Sequence, residues 1–152
     1  MDIIQTEAFS IAGIAIRTTN ENGQAAIDIP KLWDRFLSEN IMALITNRTD
    51  DTIYSVYTDY EQDHTKPYTT LLGCKVKNID EIPEELTGKT FAPGKYVKFT
   101  AKGKLADGIV YQEWVKIWGS DIPRAFTADF EVYGTKAQNP DDAEVDIFIA
   151  VQ

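Results

Sequence analysis

The order strand, helix, strand, strand can be read twice along this chain, and that doubling constrains its fold more than any other feature. The first reading opens with an apolar run at 9–17, suited to a buried strand. A turn-rich stretch at 18–24 follows. Pro30 then fits the first position of a helix, with Leu32, Trp33, Phe36 and Leu37 at helical spacing. Strand-like runs at 52–60 and 68–76, parted by the polar stretch 61–67, read as a hairpin. The second reading begins with the alternating run 96–102, a half-exposed strand. Tyr111, Trp114, Val115 and Trp118 make an apolar helical stripe, and Gly119 stands where that helix should stop. Strands at 126–133 and 144–151 close the chain, with the turn signal Asn139-Pro140-Asp141 between them.

A half of about 75 residues is short of material to cover its own sheet, whereas two packed halves can share a core. The joining segment, 79–95, carries Pro83, Gly88, Pro93 and Gly94 and reads as a crossover rather than a flexible tether. The predicted architecture is α+β, with duplicated strand-helix-strand-strand units at about 1–78 and 95–152. One domain over 1–152 is expected, an antiparallel sheet with two helices across one face. A ligand cleft is expected where the halves meet, since pockets favour such junctions.

Composition narrows the function by exclusion. A net charge of −9 argues against direct nucleic acid binding, which needs clustered Lys and Arg. The acidic clusters at 50–51, 59–63, 80–85 and 141–144 suit solvated loops. The single cysteine, Cys74, rules out an internal disulfide and a cysteine-based metal site, and its apolar neighbours suit a small core filler. The only histidine, His64, lies in a polar run with nothing evident to orient it, so a Ser-His-Asp triad is not expected. No run approaches membrane-spanning length and no signal peptide is evident, so a cytoplasmic protein is expected, without cofactor or metal.

Glu131 is the residue with the sharpest chemistry. It lies in Ala128-Asp129-Phe130-Glu131-Val132-Tyr133, an acid on a strand flanked by aromatics. Alternation puts it on one face with Asp129 and Tyr133, opposite Phe130 and Val132. If Phe130 and Val132 pack under the helices, Glu131 points away from them; if the sheet bends around a cleft, Glu131 lines its opening. A buried carboxylate needs a raised pKa or a cationic partner.

The run Ile53-Tyr54-Ser55-Val56-Tyr57-Thr58-Asp59-Tyr60-Glu61, then Leu71-Leu72-Gly73-Cys74-Lys75-Val76, Phe130-Glu131-Val132-Tyr133 and Val145-Asp146-Ile147-Phe148-Ile149-Ala150-Val151 together resemble the GyrI-like effector-binding family. That family includes ligand-binding domains attached to AraC-type and MerR-type multidrug-responsive transcription activators. The chain looks most like its free-standing, integron-associated cassette proteins. The resemblance implies a cleft that binds lipophilic, often cationic, small molecules, with Glu131 in the place of the family's cleft glutamate. Activators of this kind carry a helix-turn-helix region; strand-like residues here begin within the first ten positions, so any role at DNA would need a separate DNA-binding regulator as partner. The resemblance also implies an alternative, a small hydrolase of electrophilic or strained-ring compounds, for which Glu113 beside Trp114 would be the second acid. Binding is favoured over catalysis, because the helical position of Glu113 sets it off the apolar stripe, and no residue is assigned as catalytic.

Aromatic faces attract cations and meet planar ligands broadly. Tyr57 and Trp118 rank next to Glu131 as ligand-binding residues, followed by Trp33, Phe36, Tyr68 and Trp114. Each of these aromatics could instead serve the core, because burying such stripes is what folds a domain.

Overall fold

Eight strands form one antiparallel sheet in the computed structural model of the chain, which describes residues 2–152. In chain order the elements are β1 (Ile3–Thr6), β2 (Phe9–Thr18), α1 (Gln24–Ser38), α2 (Ile41–Leu44), β3 (Ile53–Thr58), β4 (Tyr68–Val76), β5 (Thr87–Phe91), β6 (Gly94–Gly103), α3 (Ile109–Trp118), β7 (Ala128–Tyr133) and β8 (Ala143–Val151). The order across the sheet is β1-β6-β8-β7-β3-β4-β2-β5. The doubled pattern is therefore real: β2-α1-β3-β4 is answered by β6-α3-β7-β8, and the halves meet where β3 pairs with β7.

Two strands escaped the sequence reading, and they occupy equivalent places. β1 precedes β2 in the chain but pairs with β6, while β5 precedes β6 but pairs with β2. Each half thus lends its leading strand to the edge of the other. The segment 79–95 is in part this exchanged strand, not only a crossover, because Thr87 to Phe91 find free backbone partners along β2.

The exchange curls the sheet into a half-barrel. β5 and β6 stand near opposite ends of the strand order, yet only Ala92 and Pro93 separate them in the chain. Phe9 on β2 reaches Phe130 on β7 with ring centroids 5.2 Å apart, although β4 and β3 intervene in the sheet. Gly13 faces Gly73 across the β2–β4 pair, and a β-carbon on either would collide with the facing backbone carbonyl. Glycine at both positions permits that close approach.

The inside of the curl is filled by Ile11, Tyr54, Val56, Leu71, Tyr96 and Phe130. The helices pack on the other face, with α2 adding Ile41 beside α1. α1 covers Ala12, Ile14, Leu72 and Cys74 through Leu32 and Phe36, and α3 covers Ile147 and Ile149 through Trp114 and Ile117. Fully burying one such Leu, Ile or Phe stabilises the fold by about 1.5–3 kcal/mol. Burial also pushes the Cys74 thiol up to about 11, as expected of a core filler.

The start of α1 differs from the sequence reading. Pro30 lies inside the helix rather than at its first position, because the helix begins six residues earlier at Gln24. Anchors outside the helical pattern secure that first turn: Ala25 N–H donates to the Thr19 carbonyl, and Thr18 Oγ1 and Gln24 Nε2 both donate to Asp28 at 2.9 Å. They compensate for the bond to the Ala26 carbonyl that Pro30 cannot make. α3 ends at Trp118, just before Gly119, as predicted. Among the described residues no helix is long and apolar enough to cross a membrane.

Candidate functional site

The placement of the helices creates the site. α1 lies over β2 and β4, and α3 lies against β6, so the central pair β3 and β7 floors a gap between them. Residues of β7 alternate: Phe130 fills the inside of the curl, while Asp129 and Glu131 turn to the helix-bearing face. Of the two orientations open to Glu131, the structure selects the one that lines a cleft. The cleft is a cavity of about 400 Å³, a size ordinary for a small-molecule site.

Glu131 is 3% exposed, and three side chains donate to it. Oε2 accepts from Tyr57 Oη at 2.8 Å and from Trp114 Nε1 at 2.7 Å, and Oε1 accepts from Tyr133 Oη at 2.6 Å. All three donors are neutral, and among the described residues no cation pairs with this carboxylate. Burial raises its pKa, and the bonds from Tyr133, Trp114 and Tyr57 oppose the rise without cancelling it. Burial likewise holds the Tyr57 and Tyr133 phenols well above their usual value, with the Glu131 charge adding to the effect, so both remain donors at neutral pH.

Two residues along the same strand, Asp129 is fully buried but differently served. Arg124 Nη2 donates to its Oδ2 at 2.7 Å, Tyr60 Oη donates to the same oxygen at 2.5 Å, and the Ala150 backbone N–H donates to Oδ1 at 2.8 Å. The guanidinium of Arg124 lies over the Phe126 ring, 4.3 Å from its centroid.

Glu131, Tyr57, Trp118, Trp33, Tyr68 and Trp114 all line this cavity. Trp33 meets Tyr133 edge-on at 4.8 Å, and Tyr68 meets Tyr57 edge-on at 5.9 Å while donating to Asn20 at 2.6 Å. Phe36 is not in the wall: it is 2% exposed in the core beneath α1, beside Leu32 and Ile14. The helix explains the division. Ala26, Ile29, Pro30 and Trp33 recur at i, i+3, i+4 and i+7 and face the gap, while Leu32 and Phe36 form the stripe that faces the sheet. Glu113 also lies outside the wall and pairs with Lys116 at 3.5 Å.

Tyr60, His64, Arg124 and Tyr133 line the cavity without having been singled out as binding residues. Alternation from Glu131 places Tyr133 on its face, a signal that was present in the sequence. Nothing comparable marked Arg124 or His64, which arrive from loops. His64 stacks on Trp118, with centroids 5.7 Å apart and planes 12° from parallel, and its backbone carbonyl accepts from Asn20 Nδ2. Burial lowers the His64 pKa, with the nearby Arg124 charge acting in the same direction. Among the described residues no group of three or more His, Cys, Asp or Glu is gathered as a metal site.

What the arrangement can do is surround a greasy guest with rings and offer it one carboxylate that lacks a resident counter-charge. Known proteins resemble the chain in sequence and fold. A family model described as Cass2, integron-associated effector binding protein, matches residues 2–151. A Bacillus subtilis protein, YobU, named as a candidate transcriptional regulator, is 31% identical over 145 residues, covering 93% of this chain and 91% of that protein. The crystal structure of an integron cassette protein from the mobile metagenome of Vibrio cholerae superposes with a TM-score of 0.77 at 29% identity, over 99% of this chain and 95% of that one. The protein SAV2435, solved with bound tetraphenylphosphonium, superposes with a TM-score of 0.80 at 19% identity, over 99% and 93% of the two chains.

Proposed function

The chain belongs to the integron-associated effector-binding protein family, and from that premise we propose that its cavity binds lipophilic cations of small-molecule size. The observation that carries this reading is Glu131: 3% exposed, held by three neutral donors, and without a cationic partner among the described residues. In a site shielded from water a carboxylate attracts a cation far more strongly than it would in bulk solvent. Rings within reach of the same guest add about 0.5–2 kcal/mol each through cation–π attraction. Tetraphenylphosphonium, the ligand of the related SAV2435, has this chemistry: apolar rings around one positive charge that cannot donate a conventional hydrogen bond.

Residues 1–152 act in this reading as one effector-binding unit whose two half-repeats share the cavity floor. A hydrolytic reading has less support, because Glu113 lies outside the cavity wall and Asp129 is already committed to Arg124, Tyr60 and the Ala150 amide. A regulatory consequence of ligand binding would pass through a separate DNA-binding chain, since the net charge of −9 opposes direct contact with DNA.

Titration with tetraphenylphosphonium, followed by tryptophan fluorescence, tests the proposal. Saturable binding is expected, and Glu131→Gln should weaken it by on the order of 10- to 100-fold, as loss of a buried charge–charge attraction does. Equal affinity of the two proteins would remove the carboxylate from the reading; no saturable binding to either would remove the ligand class.

A further inference from the structure

The wall of the cavity beside Arg124 holds unused hydrogen-bonding capacity. A guanidinium carries five N–H donors. Here Nη2 serves Asp129, while Nε and Nη1 are buried and have no acceptor among the described residues. The arginine as a whole is 9% exposed and stands in the cavity wall. His64, in the same wall, has a buried Nδ1 that likewise lacks a partner. Buried polar groups are ordinarily hydrogen-bonded, and leaving charged donors unserved is costly.

These groups are positioned rather than loosely placed. Phe126 lies under the Arg124 guanidinium and stacks with His64 at 6.4 Å and 21°. Its backbone adopts φ 56, a left-handed conformation that a bulky side chain seldom takes and that is often kept at functional sites. Arg124 is fixed from below by Asp129, which Tyr60 and the Ala150 amide hold in turn. His64 is tethered through its carbonyl to Asn20, itself bonded to Tyr68. The charge of Arg124 is matched by Asp129, so its unserved N–H groups, buried in the wall, leave a hydrogen-bonding demand here without a net charge that would repel a cation bound at Glu131.

We propose that Arg124 and His64 form an acceptor subsite, and that the cavity's own ligands carry, besides an aromatic cation placed at Glu131, a carboxylate that takes the unshared Arg124 N–H groups. The inference rests on the cation reading for the other end of the ligand. It makes the preferred guest a zwitterion rather than a simple lipophilic cation.

Two dyes that differ in this one group test it: rhodamine B, zwitterionic at neutral pH, and its ethyl ester, a cation. Tetraphenylphosphonium, which has no acceptor, serves as reference. The wild-type protein should favour the free acid over the ester by on the order of tenfold, the worth of a charge-assisted hydrogen bond. The double variant Arg124→Met with Asp129→Asn removes both charges together, leaving neither buried alone, and should bring that ratio to about one. Should the double variant not fold, His64→Phe, which retains a ring against Trp118, should lower the ratio about threefold, the lower range of one lost hydrogen bond. Equal affinities for acid and ester in the wild type would overturn the acceptor subsite, as would a preference that survives in the folded double variant or, in its stead, in His64→Phe. In either case saturable tetraphenylphosphonium binding would leave the cation reading standing. Failure of all three compounds to bind would overturn both.

Discussion

Asp129 and Glu131 share a strand, a face and nearly complete burial, yet their surroundings assign them different work. Asp129 is met by the Arg124 guanidinium at 2.7 Å, by Tyr60 and by a backbone amide. Among the described residues Glu131 is met only by two phenols and an indole. Hydrogen bonds can hold a buried carboxylate in place without cancelling its charge, whereas an ion pair does both. The paired acid is therefore part of the fold, tying the 124–126 segment to β7 and β8. The unpaired acid keeps an electrostatic demand that a guest can meet.

The largest effect that would break this contrast is on stability. Asp129→Ala strands Arg124 as an uncompensated buried cation and leaves Tyr60 and the Ala150 amide without their acceptor. Urea unfolding should show a loss of about 3–5 kcal/mol. Glu131→Gln keeps the shape of its side chain and removes an unpaired charge, so its midpoint should match or exceed that of the wild type. If the two variants unfold alike, the division between a structural and a functional acid fails.

A second effect lies in pH. Burial raises the Glu131 carboxyl above its ordinary value, so the folded chain holds that proton more tightly than the unfolded chain does. Its stabilising contribution is complete below the ordinary carboxylate range. It is lost as pH climbs from that range through the raised value, and above it the loss is constant. Cation binding runs the other way, because only the ionised carboxylate attracts the guest. Tetraphenylphosphonium affinity should rise as pH climbs from the ordinary carboxylate range through the raised value and then level off. Glu131→Gln should flatten the curve. A wild-type curve as flat as that of Glu131→Gln would show that the carboxylate does not govern binding.

The same contrast explains how much of the molecule was legible beforehand. The doubled strand-helix-strand-strand order followed from local periodicity, which residues such as Tyr111, Trp114 and Trp118 display without help from the rest of the chain. β1 and β5 were not legible, because their strand character comes from vacant edges on the opposite half rather than from their own four or five residues. In the site, Glu131 and its ring neighbours stood out because an acid among aromatics is chemically anomalous. Phe36 misled because Trp33 and Phe36 are only three positions apart, and the boundary between the gap-facing and sheet-facing stripes of α1 runs between them. Arg124 and His64 sit on irregular backbone, where no period predicts direction, and only the folded chain brings them to Trp118 and Phe126.

A milder change sharpens the picture at Glu131 itself. Tyr57→Phe deletes one of the two donors to Oε2 and also the bond from Ser55 Oγ at 3.2 Å, while leaving the ring against Trp114 and Tyr68. Unfolding should show a loss of about 1 kcal/mol. Because the bond from Tyr57 lowers the Glu131 pKa, its removal should move the midpoint of the pH–affinity curve upward. A loss of stability with an unmoved midpoint would mean that Tyr57 fills space without tuning the charge.

The smallest expected effect belongs to the other acid that the sequence offered. Glu113 meets Lys116 at 3.5 Å along α3, with the glutamate side chain 15% exposed and the lysine side chain 72% exposed. The exposed lysine screens the attraction and Gln keeps the shape of the part-buried side chain, so Glu113→Gln should change stability by less than about 1 kcal/mol. It should leave the tetraphenylphosphonium titration and its pH midpoint where they were, since the residue is not part of the cavity wall. The comparison is useful because Glu113 and Trp114 are adjacent in the chain while only Trp114 reaches Glu131. A clear loss of binding in Glu113→Gln would mean that α3 rotates when ligand enters, carrying a second carboxylate toward the guest and reopening the case for acid–base chemistry.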